Sequence, residues 1–230
     1  MIDNGIQAYF AYVNDRGGVN GRKITYKDLD DAYSPPQALQ LARQLVEQDH
    51  IFSIFNSLGT AVNIALRPYL NDNKVPQLFI STRASTWGAD AQKFPWTIGF
   101  QPDYQTEALI YGRNVSAHQP NAKIAVLYQN DDFGRDYLTG FQRGLGSNQI
   151  IKSASYEVSD PDVRSQVAAL KASGADTLLI AATPKFATQA LVAVGQLGWK
   201  TSTYLTFVSA TQAVMHAATQ QGGAADTNVK

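Results

Sequence analysis

Helix-like and strand-like segments alternate along the whole of this 230-residue chain, and this alternation limits its possible folds more than any other feature. Two of the strand-like segments, residues 51–55 and 177–181, are almost entirely apolar, as expected for strands that are covered on both faces. A helix over residues 35–47, with Pro35 at its first position, follows the typical pattern of a helix between such strands. The pattern indicates βαβ units with parallel sheet. The sequence therefore predicts an α/β protein.

Periodicity and turn residues predict the order of the remaining elements. Ile6, Phe10 and Val13 share one helical face, and the glycines at 17–18 end that helix. Ser34 and Gln37 are placed to form a capping box at the start of the helix over 35–47. Further strands are expected over residues 23–29, 75–80, 123–128, 150–158 and 204–207. Further helices are expected over residues 59–71, with a kink at Pro68, and over 103–118, 133–145, 160–173 and 184–197.

A polar, proline-containing stretch at residues 117–121 offers the best division of the chain. It separates an N-terminal lobe over residues 1–118 from a C-terminal lobe over residues 119–230. Each lobe then holds three or four βα units, and the predicted architecture is two α/β lobes with parallel sheets.

Composition excludes several classes of function. Nineteen basic residues balance nineteen acidic ones, so the chain lacks the basic surface of a nucleic-acid-binding protein. The absence of cysteine excludes disulfides, thiol nucleophiles and cysteine-based metal sites. No signal peptide is expected at the start, and no run of about 18 apolar residues predicts insertion into a membrane.

Ligands of open parallel sheets bind beyond the carboxyl ends of the strands, where loops lead into helices. Gly59 and Thr60 open a helix, so their backbone N–H groups and a hydroxyl could hold a carboxylate. For any single loop, ordinary helix capping is the preferred explanation of the same residues. Five such loops, rich in hydroxyls, amides and aromatic rings, lie at residues 56–60, 81–85, 130–133, 183–186 and 207–209.

Catalytic motifs are missing from the same loops. The three histidines are scattered, and the glycine-rich stretch at 17–21 follows a helix, whereas a dinucleotide site needs a strand before the glycines. Asp28, Asp30 and Asp31 suggest a solvated strand end first and a metal site second. Trp87, Trp96, Tyr104 and Phe133 are candidates for stacking on a ligand or for the core. The loops predict binding without catalysis, and no cofactor or metal is expected.

Several stretches are similar to those of a known family. Residues 14–24, the aspartates at 30–31 and the helix over 35–47 resemble the opening of type I periplasmic solute-binding proteins. The branch they resemble binds leucine, isoleucine and valine for ABC importers. The similarity continues through residues 75–79, 94–97, 126–134 and 172–176.

The resemblance implies two lobes, joined by three crossovers, that close by hinge motion on a small ligand without a catalytic step. It also implies a membrane permease as partner, no cofactor, and a periplasmic or extracellular location for the full-length protein. Hydroxyls and backbone N–H groups of the first lobe would hold the ligand carboxylate, and the second lobe would add aromatic or polar contacts. The residues that match these roles are Leu58, Gly59, Thr60, Arg83, Ala84 and Ser85 in the first lobe, and Phe133, Thr183 and Phe207 in the second.

The chain departs from this family in three ways. It starts inside the first helix, so its first lobe would lack a strand, and it is shorter at its end, so its second lobe would be truncated and the fold incomplete. Residues 204–212 contain no Asp or Glu for a ligand ammonium, and Arg83 adds a positive charge. The expected ligand is a branched-chain or hydrophobic amino acid or a related carboxylate. The missing acidic residue and Arg83 suggest the hypothesis of a carboxylate without an ammonium, such as an aromatic or short-chain organic acid.

Three other functions remain open at this stage. A sensory or regulatory domain of the same fold would bind a similar ligand. A doubly wound α/β enzyme is disfavoured by the missing phosphate loop and catalytic set. A non-functional truncated remnant is consistent with the short ends.

Overall fold

In the computed structural model, which describes residues 2–222, α-helices alternate with parallel strands, and the predicted α/β class is confirmed. The helices are α1 (Ile2–Asp15), α2 (Pro35–Glu47), α3 (Thr60–Asp72), α4 (Thr86–Ala89), α5 (Tyr104–His118), α6 (Asp132–Gly144), α7 (Arg164–Ala172), α8 (Pro184–Gln196) and α9 (Gln212–Gln220). The strands are β1 (Ile54–Phe55), β2 (Gln77–Leu78), β3 (Thr97–Ile98), β4 (Lys123–Gln129), β5 (Gln149–Tyr156), β6 (Thr177–Ala181) and β7 (Ser202–Leu205). The sequence did not predict α4, β3 or α9.

The first sheet is small and has the order β1-β2-β3, with all strands parallel. β1 and β2 are only two residues long, shorter than the sequence predicted. Helices α2 and α3 pack against each other through Ala38, Ala42, Val62, Leu66 and Leu70, which are buried. This packing supports the loop that joins β1 to α3.

Residues 23–29 form no strand, and the prediction there was wrong. A strand requires a backbone ladder with a neighbour, and no strand within residues 2–222 pairs with this segment. The Asn14 side chain holds Ile24 instead. Its Oδ1 accepts the Ile24 N–H at 2.7 Å, and its Nδ2 donates to the Ile24 carbonyl at 2.8 Å.

Two helix starts also differ from expectation. Ser34 occupies the N-cap of α2 but makes no capping hydrogen bond, and the Gln37 amide donates to the Asp30 carbonyl, so no capping box forms. Helix α7 begins at Arg164 and not at 160–161. The preceding turn is held by the Asp160 carboxylate, which accepts the Glu157 N–H at 2.9 Å.

The second sheet has the order β5-β4-β6-β7 and is parallel throughout. All five residues of β6 are buried, which explains its continuous apolar sequence. The central strands β4 and β6 are covered on one face by α7 and α8, through residues such as Val167 and Leu191. On the other face, α5 and α6 contribute Val115 and Phe141.

Helix α5 packs closely against α6, because glycines let the two backbones approach. A Cβ added at Gly112 would lie 2.4 Å from the Phe141 carbonyl oxygen, and one at Gly140 would lie 2.2 Å from the Gln105 carbonyl oxygen. Val115 of α5 shares its core cluster with Ile124 of β4. We therefore propose that α5 belongs with the second sheet and that the lobes divide before α5, not between residues 118 and 119.

Candidate functional site

Two loops of the first sheet meet at its carboxyl edge. Leu58, after β1, forms a parallel bridge with Ser81, after β2. Thr60, the first residue of α3, lies with its Oγ1 2.5 Å from Oγ1 of Thr82, and Thr82 is 3.3 Å from the Tyr104 hydroxyl. Both threonines are buried. The pairing of these loops therefore brings two hydroxyls of the first sheet together beside the start of α3.

A buried amide sets the position of the loop before α3. Asn63 is fully buried, and its Nδ2 donates to the carbonyls of Gly59 at 2.7 Å and Ser57 at 3.0 Å. Its Oδ1 accepts a hydrogen bond from Gln77 of β2 at 2.7 Å. Because these polar groups satisfy one another, the loop is held rigidly relative to the sheet.

Tyr33 reaches this loop from the turn before α2. Its ring covers Gly59, where φ is +98° and an added Cβ would lie 2.2 Å from Tyr33 Cε2. Asp30 and Asp31 shape the turn, since their carboxylates accept the N–H groups of Ala32 and Tyr33, both at 2.8 Å. These aspartates therefore stabilise the turn before α2. Tyr33 was not among the residues predicted from the sequence, and the pair of aspartates just before it was the available signal.

Gln129 gathers the polar groups of the second sheet at the end of β4. Its Oε1 accepts from the Tyr156 hydroxyl at 3.0 Å and from Thr183 Oγ1 at 3.4 Å. Its Nε2 donates to Asp131 at 2.7 Å and to the Tyr33 hydroxyl at 3.5 Å. A buried polar residue at the end of an apolar strand was the missed signal here. Gln129 thus links the second sheet to the turn that carries Tyr33.

Thr183 and Phe133 lie beside this group. The Thr183 N–H donates to the Tyr156 hydroxyl at 3.1 Å. Phe133 is only 2% exposed and packs edge-on against Tyr104 with ring centres 5.0 Å apart. Ala84, also buried, belongs to the same core cluster. Phe133 and Ala84 thus belong to an apolar base that Tyr104 connects to the Thr82 hydroxyl.

Arg83 and Phe207 lie at a second position, next to α5. The Arg83 guanidinium carbon is 3.5 Å from the centre of the Phe207 ring, and its Nη1 is 3.5 Å from a Glu107 carboxylate oxygen. Glu107 also accepts the Phe207 N–H at 3.0 Å and the Tyr111 hydroxyl at 2.6 Å. The positive charge of Arg83 is therefore countered within the protein. An open cavity of about 360 Å³ adjoins these residues.

Ser85 and Leu58 complete the set that the sequence predicted. Ser85 is bound by the buried carboxylate of Asp136, which accepts both its N–H at 2.6 Å and its hydroxyl at 2.8 Å. The Leu58 side chain is 59% exposed. Of the nine predicted residues, the structure brings four together near Tyr33 and Gln129, namely Gly59, Thr60, Phe133 and Thr183.

Burial sets the protonation of the groups at this site. It raises the pKa of Tyr33 to about 12, against the lowering effect of hydrogen bonds from Gln129 and the Thr60 backbone. Burial also raises the pKa of Tyr156 and of the Asp131 carboxyl. The hydroxyls are therefore neutral donors and acceptors at neutral pH.

Residues 2–222 lack two other kinds of feature. Among residues 2–222, no three histidine, aspartate or glutamate side chains come together as a potential metal site. No helix in that range has the length and apolar character needed to cross a bilayer.

Comparison with known proteins places this chain in a family. A family model described as periplasmic binding protein matches residues 1–229. The chain is 23% identical over 186 residues to the Leu/Ile/Val-binding protein homolog 3 of Brucella melitensis, across 77% of this chain and 48% of that protein. It thus spans about half the length of the relatives it matches.

Two solved structures share the fold. The substrate-binding periplasmic protein of Ralstonia solanacearum has a TM-score of 0.83 at 24% identity, over 99% of this chain and 63% of that one. A solute-binding protein of an ABC transporter from R. palustris, in complex with benzoate, has a TM-score of 0.74 at 18% identity, over 92% of this chain and 59% of that one. The chain belongs to the periplasmic binding protein family, alongside its Leu/Ile/Val-binding relatives.

Proposed function

We propose that this protein is the extracytoplasmic solute-binding component of an ABC importer and binds a small organic carboxylate between the loops of its two sheets. The observation that carries the proposal is the polar contact from one sheet to the other. Thr60 and Thr82 lie on the first side, Gln129 and Thr183 on the second, and Tyr33 contacts both. Such convergence of neutral polar groups above an apolar base is typical of small-molecule sites.

The carboxylate would be held at the start of α3. Gly59 occupies the N-cap position and has no side chain to bond the first-turn amides of this helix. The amides at a helix N-terminus, together with the helix dipole, favour an anion, and here the Thr60 N–H is shared with the Tyr33 hydroxyl. The hydroxyls of Thr60 and Thr82 lie at the same place and would add hydrogen bonds.

The ligand class that we propose is a carboxylate without an ammonium, such as an aromatic acid. An α-amino acid would need a protein carboxylate that is free to bind its ammonium group. Asp131 is close, but its oxygens already accept hydrogen bonds from Gln129 and the Gly134 N–H, and its pKa is raised by burial. Glu107 is engaged by Arg83, Tyr111 and Phe207. The relative named for Leu/Ile/Val binding and the neighbour with bound benzoate represent the two classes to be compared.

We infer that the protein binds its solute without changing it. Apart from Asp131, whose carboxylate already accepts hydrogen bonds from Gln129 and the Gly134 N–H, the groups at the site are hydroxyls, amides and tyrosines, and burial raises the pKa values of the tyrosines. Such groups supply no strong base or nucleophile at neutral pH. The importer's membrane permease would be the protein partner, as expected for a periplasmic or extracellular receptor.

Isothermal titration of the purified protein tests the ligand class. Benzoate, 4-hydroxybenzoate and phenylacetate are titrated beside leucine, isoleucine and valine, and an acid without an ammonium is expected to bind most tightly. Tight leucine binding with no response to the aromatic acids would overturn the ligand class and leave the solute-binding role. No response to any member of the panel would contradict the carboxylate site itself.

A further inference from the structure

Tyr33 has an unusual backbone conformation that aims its side chain at the site. Ala32 and Tyr33 have φ values of +50° and +56°, in the left-handed region that residues with a Cβ rarely adopt. The carboxylates of Asp30 and Asp31 each bond a backbone N–H two residues ahead and stabilise this turn. Strain of this kind, held by local hydrogen bonds, is found at functional positions more often than elsewhere.

The ring of Tyr33 lies where the loop before α3 meets Gln129 of the second sheet. It lies so close to Gly59 that a methyl group on Gly59 would overlap Cε2 at 2.2 Å. It also packs against the cluster formed by α2 and α3, which includes Ala38 and Val62. Because the ring packs against the α2–α3 cluster on one side and contacts Gly59 on the other, it limits the space beside Gly59.

The hydroxyl of Tyr33 has one free hydrogen-bonding function. Its oxygen accepts from Gln129 Nε2 at 3.5 Å, and the hydrogen bond from the Thr60 backbone also ends on this oxygen. Among residues 2–222, no acceptor for the hydroxyl proton is found. A tyrosine hydroxyl is both donor and acceptor, so its proton is available to an oxygen atom of a solute bound beside it.

We propose that Tyr33 is a specificity-determining ligand contact, whose hydroxyl donates to an oxygen of the bound solute and whose ring limits the size of the solute. This assignment rests on the proposed function, because it needs a solute between the sheets. The assignment adds to that function a ligand-contacting residue and a size limit on the solute. Solutes with an acceptor oxygen and a small apolar part are favoured, and bulkier ones are excluded by the ring.

Two variants separate the hydroxyl from the ring. Tyr33→Phe keeps the ring and removes the donor, so it should weaken binding of benzoate about tenfold, as expected for a lost hydrogen bond to a charged group. Tyr33→Leu removes the ring, so it should raise the affinity of 2-naphthoate relative to benzoate about tenfold. Tyr69→Phe is the matched control, because the Tyr69 hydroxyl lies outside the site and donates to the Glu47 carboxylate, with an O–O distance of 2.9 Å.

The wild-type protein and the three variants are titrated calorimetrically with benzoate, 2-naphthoate and leucine. The leucine titration shows whether the substitutions change the affinity for an amino acid instead. A purely structural role would weaken all solutes equally and leave their affinity ratio unchanged, which would overturn the proposal. If wild-type protein binds a solute and the Tyr33 variants match it, the Tyr33 assignment is wrong and the proposed function stands. If wild-type protein binds none of the three, both fall.

Discussion

The carboxylate of Asp136 on α6 holds both polar groups of Ser85, the N–H at 2.6 Å and the hydroxyl at 2.8 Å. The two residues are 51 positions apart, and the contact joins the loop after β2 to the second sheet's helix layer. Gln105 of α5 donates to the same carboxylate at 2.8 Å. The donors that the sequence analysis assigned to a ligand carboxylate at Ser85 are therefore already bound to a carboxylate of the protein.

Asp136→Ala should destabilise the protein. Asp136 is only 6% exposed, and its removal leaves the Ser85 N–H, the Ser85 hydroxyl and the Gln105 amide without their acceptor. The expected loss is about 2–3 kcal/mol in the free energy of unfolding, measured by urea denaturation. Asp72→Ala, at an exposed residue of α3, is the control and should change stability little. Equal stability of the two variants would contradict the role given to Asp136.

The close approach of α5 and α6 predicts different effects for alanine at different glycines. Gly140→Ala should cost at least about 2 kcal/mol, because its Cβ would meet the Gln105 carbonyl oxygen at 2.2 Å, and backbone cannot move aside cheaply. Gly5→Ala, in helix α1 with nothing within 4 Å, should stabilise by about 0.5–1 kcal/mol. Thermal or urea unfolding followed by circular dichroism measures both. A Gly140→Ala protein as stable as wild type would show that the helices can separate freely.

Threonine at the start of α3 should matter more for solute binding than arginine in the next loop. Thr60→Val removes a hydroxyl at the proposed anchor and should weaken carboxylate binding about fivefold or more. Arg83→Ala should have a smaller effect, because Arg83 is paired with Glu107 and held by Gln101 and the Phe207 ring. Titration calorimetry with the solute that wild-type protein binds compares them. A larger loss in the Arg83 variant would move the anchor to the cavity beside α5.

Stability should fall above about pH 10. Burial raises the pKa of several tyrosines, to about 12 for Tyr26 and Tyr33, whereas an unfolded tyrosine titrates near 10. Between these values the folded state keeps protons that the unfolded state has lost. The tyrosine contribution to stability is therefore complete below about pH 10 and is lost as pH rises through the folded-state pKa.

Urea denaturation between pH 8 and pH 11.5 measures this loss, with tyrosinate absorbance recorded in parallel. Each buried tyrosine adds up to about 1.4 kcal/mol per pH unit to the slope. Tyr137→Phe removes one fully buried tyrosine whose pKa is raised, mainly by burial, and should make the slope shallower. A slope identical to that of wild type would mean that Tyr137 does not retain its proton in the folded state.

Local sequence patterns predicted most elements because capping and periodicity depend on near neighbours. Asp103 and Asp131 cap α5 and α6 by accepting the N–H groups of Thr106 and Gly134, close to where the sequence placed these helix starts. The apolar run of residues 177–181 became the fully buried strand β6. Residues 23–29 show the limit of such patterns, because a strand also needs a partner.

What the sequence by itself determined is therefore the α/β class, the order of most of the elements and the polar loops at the carboxyl ends of the strands. The tertiary structure alone decided which loop residues meet. It placed Tyr33 over Gly59, turned Ser85 toward Asp136 and paired Arg83 with Glu107. The physical reason is that these contacts join residues 24 or more positions apart. The distance between such residues depends on how the helices and sheets pack and not on local propensity.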